Sequence, residues 1–73
     1  MALVNNMEKI SRNANVHEEV EATFNIVQKA GKKYIQINTY GSKERKAKGV
    51  VSQTLQFSEE AIYHLQEIIK KEF

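Results

Sequence analysis

Two runs of alternating apolar and polar residues, separated by a short break, constrain the fold of this chain more than any other feature. Every second residue is apolar over 20–27, and Ile35 and Ile37 alternate with polar and aromatic residues over 34–40. Successive side chains of a strand point to opposite faces, so each run predicts a half-buried strand. The break contains Gly31, which can adopt the positive φ that short hairpin loops require. We therefore predict an antiparallel β-hairpin.

A third strand and a C-terminal helix follow the hairpin. Alternation returns over 50–57, and Ser58 is predicted to cap a helix whose first turn carries Glu59 and Glu60. The apolar stripe of this helix comprises Ala61, Ile62, Leu65, Ile68, Ile69 and Phe73. We expect the stripe to cover the apolar sheet face of Phe24, Ile26, Ile35, Ile37, Leu55 and Phe57. The prediction is a small α+β fold of order β-β-β-α, an antiparallel meander of three strands packed on one helix, with a fourth strand as the alternative.

The first nineteen residues are predicted to form a mobile polar arm, and residues 20–73 a single domain. Four asparagines in the arm disfavour a helix, because their side chains compete for backbone hydrogen bonds. Two alternatives remain for local structure in the arm: one helical turn over 7–12, or a short strand over Ala2–Val4.

The small size of the chain favours self-association. A domain of 73 residues has room for only a small core and usually needs a disulfide, a metal or a partner subunit. The chain has no cysteine, and its two histidines lie in unrelated segments. We therefore predict a homodimer without a metal or other cofactor.

Hydropathy places the protein away from membranes. No apolar stretch approaches the ~20 residues that span a bilayer, and the N-terminal apolar run of three residues does not resemble a signal peptide. The expected location is the cytoplasm.

Positive charge is concentrated in the middle of the chain. The whole sequence has a net charge of +2, but residues 29–57 contain seven basic side chains and one acidic, a net of +6. The segments on either side each have a net charge of −2. This asymmetry favours an anionic partner for the middle segment.

One face of the predicted sheet is almost uncharged and rich in amide and hydroxyl groups. It comprises Thr23, Asn25, Tyr34, Gln36, Asn38, Tyr40, Ser52, Thr54 and Gln56. Such groups both donate and accept hydrogen bonds, and the tyrosine rings can stack on bases. The other interpretation is that threonine and tyrosine are present only because they favour strands.

Basic residues flank this face at both ends. One cluster lies at the first turn and the other in the loop over 41–49, separated by roughly 25 Å along the second strand. This arrangement predicts single-stranded DNA or RNA crossing the sheet, although loop lysines also simply maintain solubility. The predicted nucleic-acid-binding residues are Lys32, Lys33, Tyr34, Gln36, Asn38, Tyr40, Lys43, Arg45, Lys46, Lys48 and Ser52.

The segment from Gly31 to the C-terminal helix resembles the single-stranded-DNA-binding transcriptional coactivator family (positive cofactor four). The matching features are Gly31-Lys32, Ile35-Gln36-Ile37, Tyr40, Lys48-Gly49, Ser52 and the helix from Glu59. This resemblance covers about forty residues of the chain. It implies a dimer that binds single strands along its sheets, with Lys48 and neighbouring loop residues near phosphates.

No arrangement of residues in the sequence predicts catalysis. The chain lacks aspartate as well as cysteine, and its glycines match no phosphate-binding loop. We expect a protein that is not an enzyme. The alternative to nucleic-acid binding is a protein-interaction module, such as a regulatory subunit or an inhibitor of a nucleic-acid-handling complex.

Overall fold

A computed structural model describes residues 1–41 and 49–73 as four strands and one helix. The elements are β1 (Ala2–Val4), β2 (Glu21–Lys29), β3 (Lys32–Tyr40), β4 (Gln53–Phe57) and α1 (Glu59–Glu72). The strand order in the sheet is β1-β4-β3-β2. Both the β2–β3 and the β3–β4 pairs are antiparallel, which confirms the α+β fold and the predicted meander.

The hairpin forms at the predicted break. Strands β2 and β3 are paired over their full nine residues, from Glu21 opposite Tyr40 to Lys29 opposite Lys32. The two loop residues both have positive φ, 54° at Ala30 and 78° at Gly31, as in a type I′ turn. Glycine adopts this conformation without steric cost, whereas Ala30 is strained there.

The fourth strand is the short one at the start of the chain, and its direction differs from that of the meander. Strand β1 pairs in parallel with β4, with Ala2 opposite Leu55 and Val4 opposite Phe57. The sheet is therefore mixed. The alternative helical turn does not form, since residues 5–20 contain neither helix nor strand. Lys9 in this segment donates a hydrogen bond from Nζ to Glu72 Oε2 at 3.1 Å, which joins the arm to the end of α1.

Strand β4 begins later than the alternating pattern predicts. It starts at Gln53, which pairs with Thr39 near the end of β3. The backbone N–H of Ser52 still donates to Thr39 O at 2.7 Å, but Val50 and Val51 lie outside the strand. Because β3 ends at Tyr40, no strand of the described residues lies beside Val50 and Val51 for them to pair with.

Ser58 links the sheet to the helix, as predicted. Its Oγ accepts a hydrogen bond from the backbone N–H of Ala61 at 3.2 Å, which caps α1. Its own backbone N–H donates to Val4 O at 3.1 Å. The capping residue therefore also connects the start of the helix to β1.

The helix covers only part of the apolar sheet face, so the predicted full coverage is wrong. Helix α1 packs on β3 and β4, and Ala61 is completely buried. On β2, however, Phe24 is 72% exposed and Ile26 is 54% exposed. Since only Ser58 separates β4 from α1, the helix begins beside β4 and leaves the outermost strand uncovered.

A single copy of the chain has almost no core. Among the described residues, only Tyr40 and Ala61 are buried hydrophobic residues, and no large side chain is fully buried. The radius of gyration is 14.2 Å, against about 11 Å for a compact chain of this length. Within the described ranges, no helix has the length and apolar character needed to cross a membrane.

Candidate nucleic-acid interface

The strand register places the predicted polar residues side by side on one face of the sheet, which we call the polar face. Asn38 lies opposite Thr23 on β2, and Gln36 lies opposite Asn25. On the other side of β3, Gln36 also lies opposite Gln56. Side chains that are directly opposite on neighbouring strands are close enough to interact. The polar face thus spans β2, β3 and β4.

A chain of hydrogen bonds connects these side chains across the three strands. Gln56 Nε2 donates to Gln36 Oε1 at 2.9 Å, and Gln36 Nε2 donates to Asn38 Oδ1 at 2.9 Å. Asn38 Nδ2 then donates to Thr23 Oγ1 at 3.2 Å and to Asn25 Oδ1 at 3.1 Å. We call these five residues the amide ladder. Its amide groups donate from β4 to β3, along β3 from Gln36 to Asn38, and then from β3 to β2, so the bonds form a continuous chain and polarise one another.

Tyr40 contacts the amide ladder through its hydroxyl group but is not part of the exposed surface of the polar face. Its Oη lies 3.0 Å from Thr23 Oγ1, and the residue is only 8% exposed. A ring this buried cannot stack on a base. Tyr34, Gln36 and Asn38, by contrast, are half-buried and reach the surface of the polar face. The geometry makes Tyr34 the aromatic residue of this face that is open to a ligand.

One groove lies at the β4 end of the amide ladder. It has a volume of about 410 Å³ and is lined by Met1, Ala2, Leu3, Gln36, Thr54 and Gln56. Leu3 is 52% exposed and lies opposite Gln56 in the sheet. Sequence reasoning missed Leu3, because the sequence does not reveal which strand β1 joins.

A second groove lies at the hairpin end of the polar face. It has a volume of about 290 Å³ and is lined by Leu3, Asn5, Lys32, Lys33, Tyr34, Ser58, Glu59 and Glu60. Leu3 lines both grooves, so the two adjoin. The sequence predicted the lysines and the tyrosine here, but it indicated only a helix-dipole role for the two glutamates. Their carboxylates offset part of the positive charge that the lysines provide.

The predicted site residues are brought together only in part. Lys32, Tyr34, Gln36, Asn38 and Tyr40 alternate onto the same face of β3, whereas Lys33 points to the other face although it also lines the second groove. Ser52 lies at the opposite end of the sheet, bonded to Thr39. That end is about 23 Å from Lys32 along β3. The remaining predicted residues, Lys43, Arg45, Lys46 and Lys48, lie outside the described residues.

The groups on the polar face suit binding by hydrogen bonds and stacking. Among the described residues, no group of three histidine, aspartate or glutamate side chains is placed to hold a metal ion. His64 has a buried Nδ1 without a hydrogen-bond partner, but it lies on α1 beside Met7 and Ile68. It is not part of the polar face.

No protein-family model matches the chain, and neither a curated protein nor a solved structure matches it. The resemblance to the coactivator family therefore stays a prediction.

Proposed function

We propose that this protein binds single-stranded DNA or RNA across the polar face, without catalysis, and that it does so as a homodimer. The observation that carries the proposal is the amide ladder, an ordered row of hydrogen-bonding groups that crosses three strands without a charged residue.

The ladder leaves groups of both kinds available at its two ends. Within the described part of the chain, the amide nitrogen of Asn25 donates no hydrogen bond and Gln56 Oε1 accepts none. The ladder therefore offers donors on β2 and an acceptor on β4. The edges of nucleic-acid bases carry both donors and acceptors, so they match such a surface.

A single strand fits this face better than a duplex. Unpaired bases can lie against an uncharged surface and stack on an open aromatic ring such as Tyr34, an interaction worth about 1–3 kcal/mol per base. A duplex would turn its phosphates toward the uncharged middle of the face, where no cation of the described residues neutralises them.

Positive charge at the hairpin end supports phosphate binding. Lys32 and Lys33 are both exposed beside Tyr34. In the sequence, the segment 29–57 that contains β3 and β4 has a net charge of +6. A nucleic-acid strand whose bases contact the amide ladder would bring a phosphate to Lys32. The affinity should therefore fall as the salt concentration rises, because salt ions compete with this contact.

The test is a fluorescence titration of the protein with single-stranded and double-stranded oligonucleotides at 50 and 200 mM salt. We expect preferential binding of the single strand, a steep loss of affinity at the higher salt, and a shallower salt dependence in Lys32→Ala. Lys70→Ala, on the exposed side of α1, is the matched control and should behave like the parent protein. Undetectable binding at 50 mM salt, or equal binding of duplex, contradicts the proposal.

A second candidate function is a protein-interaction module, favoured by the exposure of Phe24 and Ile26 on the apolar face. A regulatory subunit or inhibitor would use such a face to contact another protein. Co-purification of one defined protein after nuclease treatment, together with no oligonucleotide binding, would favour this candidate over the first.

A further inference from the structure

We infer that a second copy of this chain covers the apolar face, with β2 of each subunit packed against the C-terminal half of α1 of the other. This inference rests on the homodimer in the proposed function. It concerns the face opposite the polar face, and so it does not depend on whether the protein binds nucleic acid.

The apolar face consists of two rows of side chains that run across the strands. In one row Phe24, Ile37 and Leu55 lie opposite one another on β2, β3 and β4. Ile37 in the middle is half-buried, whereas Phe24 on the outermost strand is 72% exposed. The second row has the same pattern, from half-buried Ile35 to Ile26 at 54% exposed. Among the described residues, therefore, no layer covers β2 on this side of the sheet.

The apolar stripe of the helix is largely exposed at its C-terminal end, which only the arm reaches among the described residues, through the Lys9–Glu72 ion pair and the groove that Met7 shares with Ile68. Its first turn is packed, with Ala61 completely buried. Toward the C-terminus, exposure rises to 37% at Ile68, 52% at Ile69 and 98% at Phe73. One subunit thus contains a strand without a covering helix and half a helix without a sheet beneath it.

A symmetric dimer would cover both exposed surfaces, β2 and the C-terminal half of α1. In a symmetric dimer, any contact between β2 of one copy and α1 of the other occurs twice. The uncovered strand and the uncovered helix end are then each other's partners. Between Glu21 and Lys29, strand β2 carries no charged residue that would oppose this packing.

The exposed apolar area is sufficient for a stable dimer. The side chains concerned are Phe24, Ile26, Leu55, Leu65, Ile68, Ile69 and Phe73. Taking roughly 180 Å² for a fully exposed side chain of this size, their exposed fractions amount to about 700 Å² per subunit. Specific, stable interfaces bury about 600–1,000 Å² on each partner. The exposed apolar area of one subunit is therefore large enough to form a dimer interface with a second copy, with little contribution from other parts of the surface.

Pairing of the two β2 edges is the less favourable arrangement of two copies. It would satisfy the outward backbone groups of β2, but side chains stand perpendicular to a sheet. Phe24 and Ile26 would remain directed into solvent. Packing against a helix buries them, and burial of apolar area is the dominant driving force for association.

Charge complementation between two variants tests this contact. Sedimentation equilibrium is measured for Phe24→Lys, for Ile69→Glu and for their equimolar mixture, with circular dichroism as the check on folding. Val16→Lys, at a fully exposed site in the arm, is the matched control. We expect each single variant to weaken dimerisation at least tenfold and the control to leave it unchanged.

The mixture should recover dimers. A mixed dimer contains one native contact and one in which the lysine on β2 faces the glutamate on α1. Recovery of dimers in the mixture therefore shows that each variant alone failed to dimerise because of the changed contact and not because it was unfolded. A monomeric parent protein at 100 µM, a single variant that dimerises normally, or a mixture without recovery would each overturn the inference. Capture of a different protein by a monomeric chain would count against a second copy as the occupant.

Oligonucleotide titration of the same variants keeps this test separate from the proposed function. A monomeric parent protein that still binds the single strand overturns this inference but not nucleic-acid binding. A dimeric parent protein that binds no oligonucleotide overturns nucleic-acid binding but not this inference.

Discussion

Asn38 and Thr23 are joined twice, as directly opposite residues of β3 and β2 and by a 3.2 Å hydrogen bond from Asn38 Nδ2 to Thr23 Oγ1. The second hydrogen of the same amide group goes to Asn25 Oδ1. Asn38 also accepts from Gln36 Nε2, so it is the residue in which the bonds of the amide ladder converge. The integrity of the polar face therefore depends on this one side chain.

Asn38→Asp should damage both the sheet and its binding surface. A carboxylate has no hydrogen to donate to Thr23 or Asn25, and it adds a negative charge to the polar face. We expect the free energy of unfolding to fall by about 1–2 kcal/mol and the affinity for a single-stranded oligonucleotide to fall at least tenfold. Urea unfolding and titration measure the two effects. Asn13→Asp, in the exposed arm, is the matched control. It should leave the free energy of unfolding and the oligonucleotide affinity nearly unchanged.

The two tyrosines of the polar face should separate binding from stability. Tyr34→Leu removes the open ring and should lower single-strand affinity about tenfold, consistent with the loss of one stacked base. Tyr40→Phe keeps the buried ring but removes the hydroxyl that lies 3.0 Å from Thr23 Oγ1, and should cost about 1 kcal/mol of unfolding free energy. It should leave affinity nearly unchanged. The reverse pattern would mean that Tyr40, not Tyr34, contacts the ligand.

The glutamates at the start of α1 should weaken phosphate binding. Glu59 and Glu60 line the second groove with Lys32 and Lys33. Glu59→Gln and Glu60→Gln should therefore raise single-strand affinity several-fold at 50 mM salt, and the gain should shrink at 200 mM because salt screens the interaction. Each change should also cost about 0.3–1 kcal/mol of stability, since a negative charge is lost from the helix N-terminus. Glu18→Gln in the arm is the control; an equal gain there would show a general charge effect.

Replacement of Ala30 by glycine should stabilise the hairpin. Its φ of 54° lies in the left-handed region, which suits glycine better than alanine. We expect Ala30→Gly to raise the free energy of unfolding by about 0.5–1 kcal/mol, as measured by urea denaturation. Ala14→Gly in the arm, which belongs to no helix or strand, tests whether the gain is specific to the turn. A destabilised Ala30→Gly variant would show that the left-handed turn does not form in solution.

The local parts of the fold follow from the order of residues along the chain. Period-two alternation predicts β2 and β3, because neighbouring side chains of a strand point to opposite faces. Ser58 identifies the helix start, because its hydroxyl needs only a backbone N–H three residues away. The polar face follows in the same way, since alternation alone places Gln36 and Asn38 on one side of β3.

Tertiary structure alone decided the features that depend on distant residues. The pairing of β1 with β4 places Leu3 at both grooves, the burial of Tyr40 removes one ring from the surface, and the limited reach of α1 leaves Phe24 uncovered. A residue pattern records which side of a strand is apolar. It does not record which strand lies beside it or how far a helix extends over it, because those outcomes depend on contacts between segments far apart in the chain.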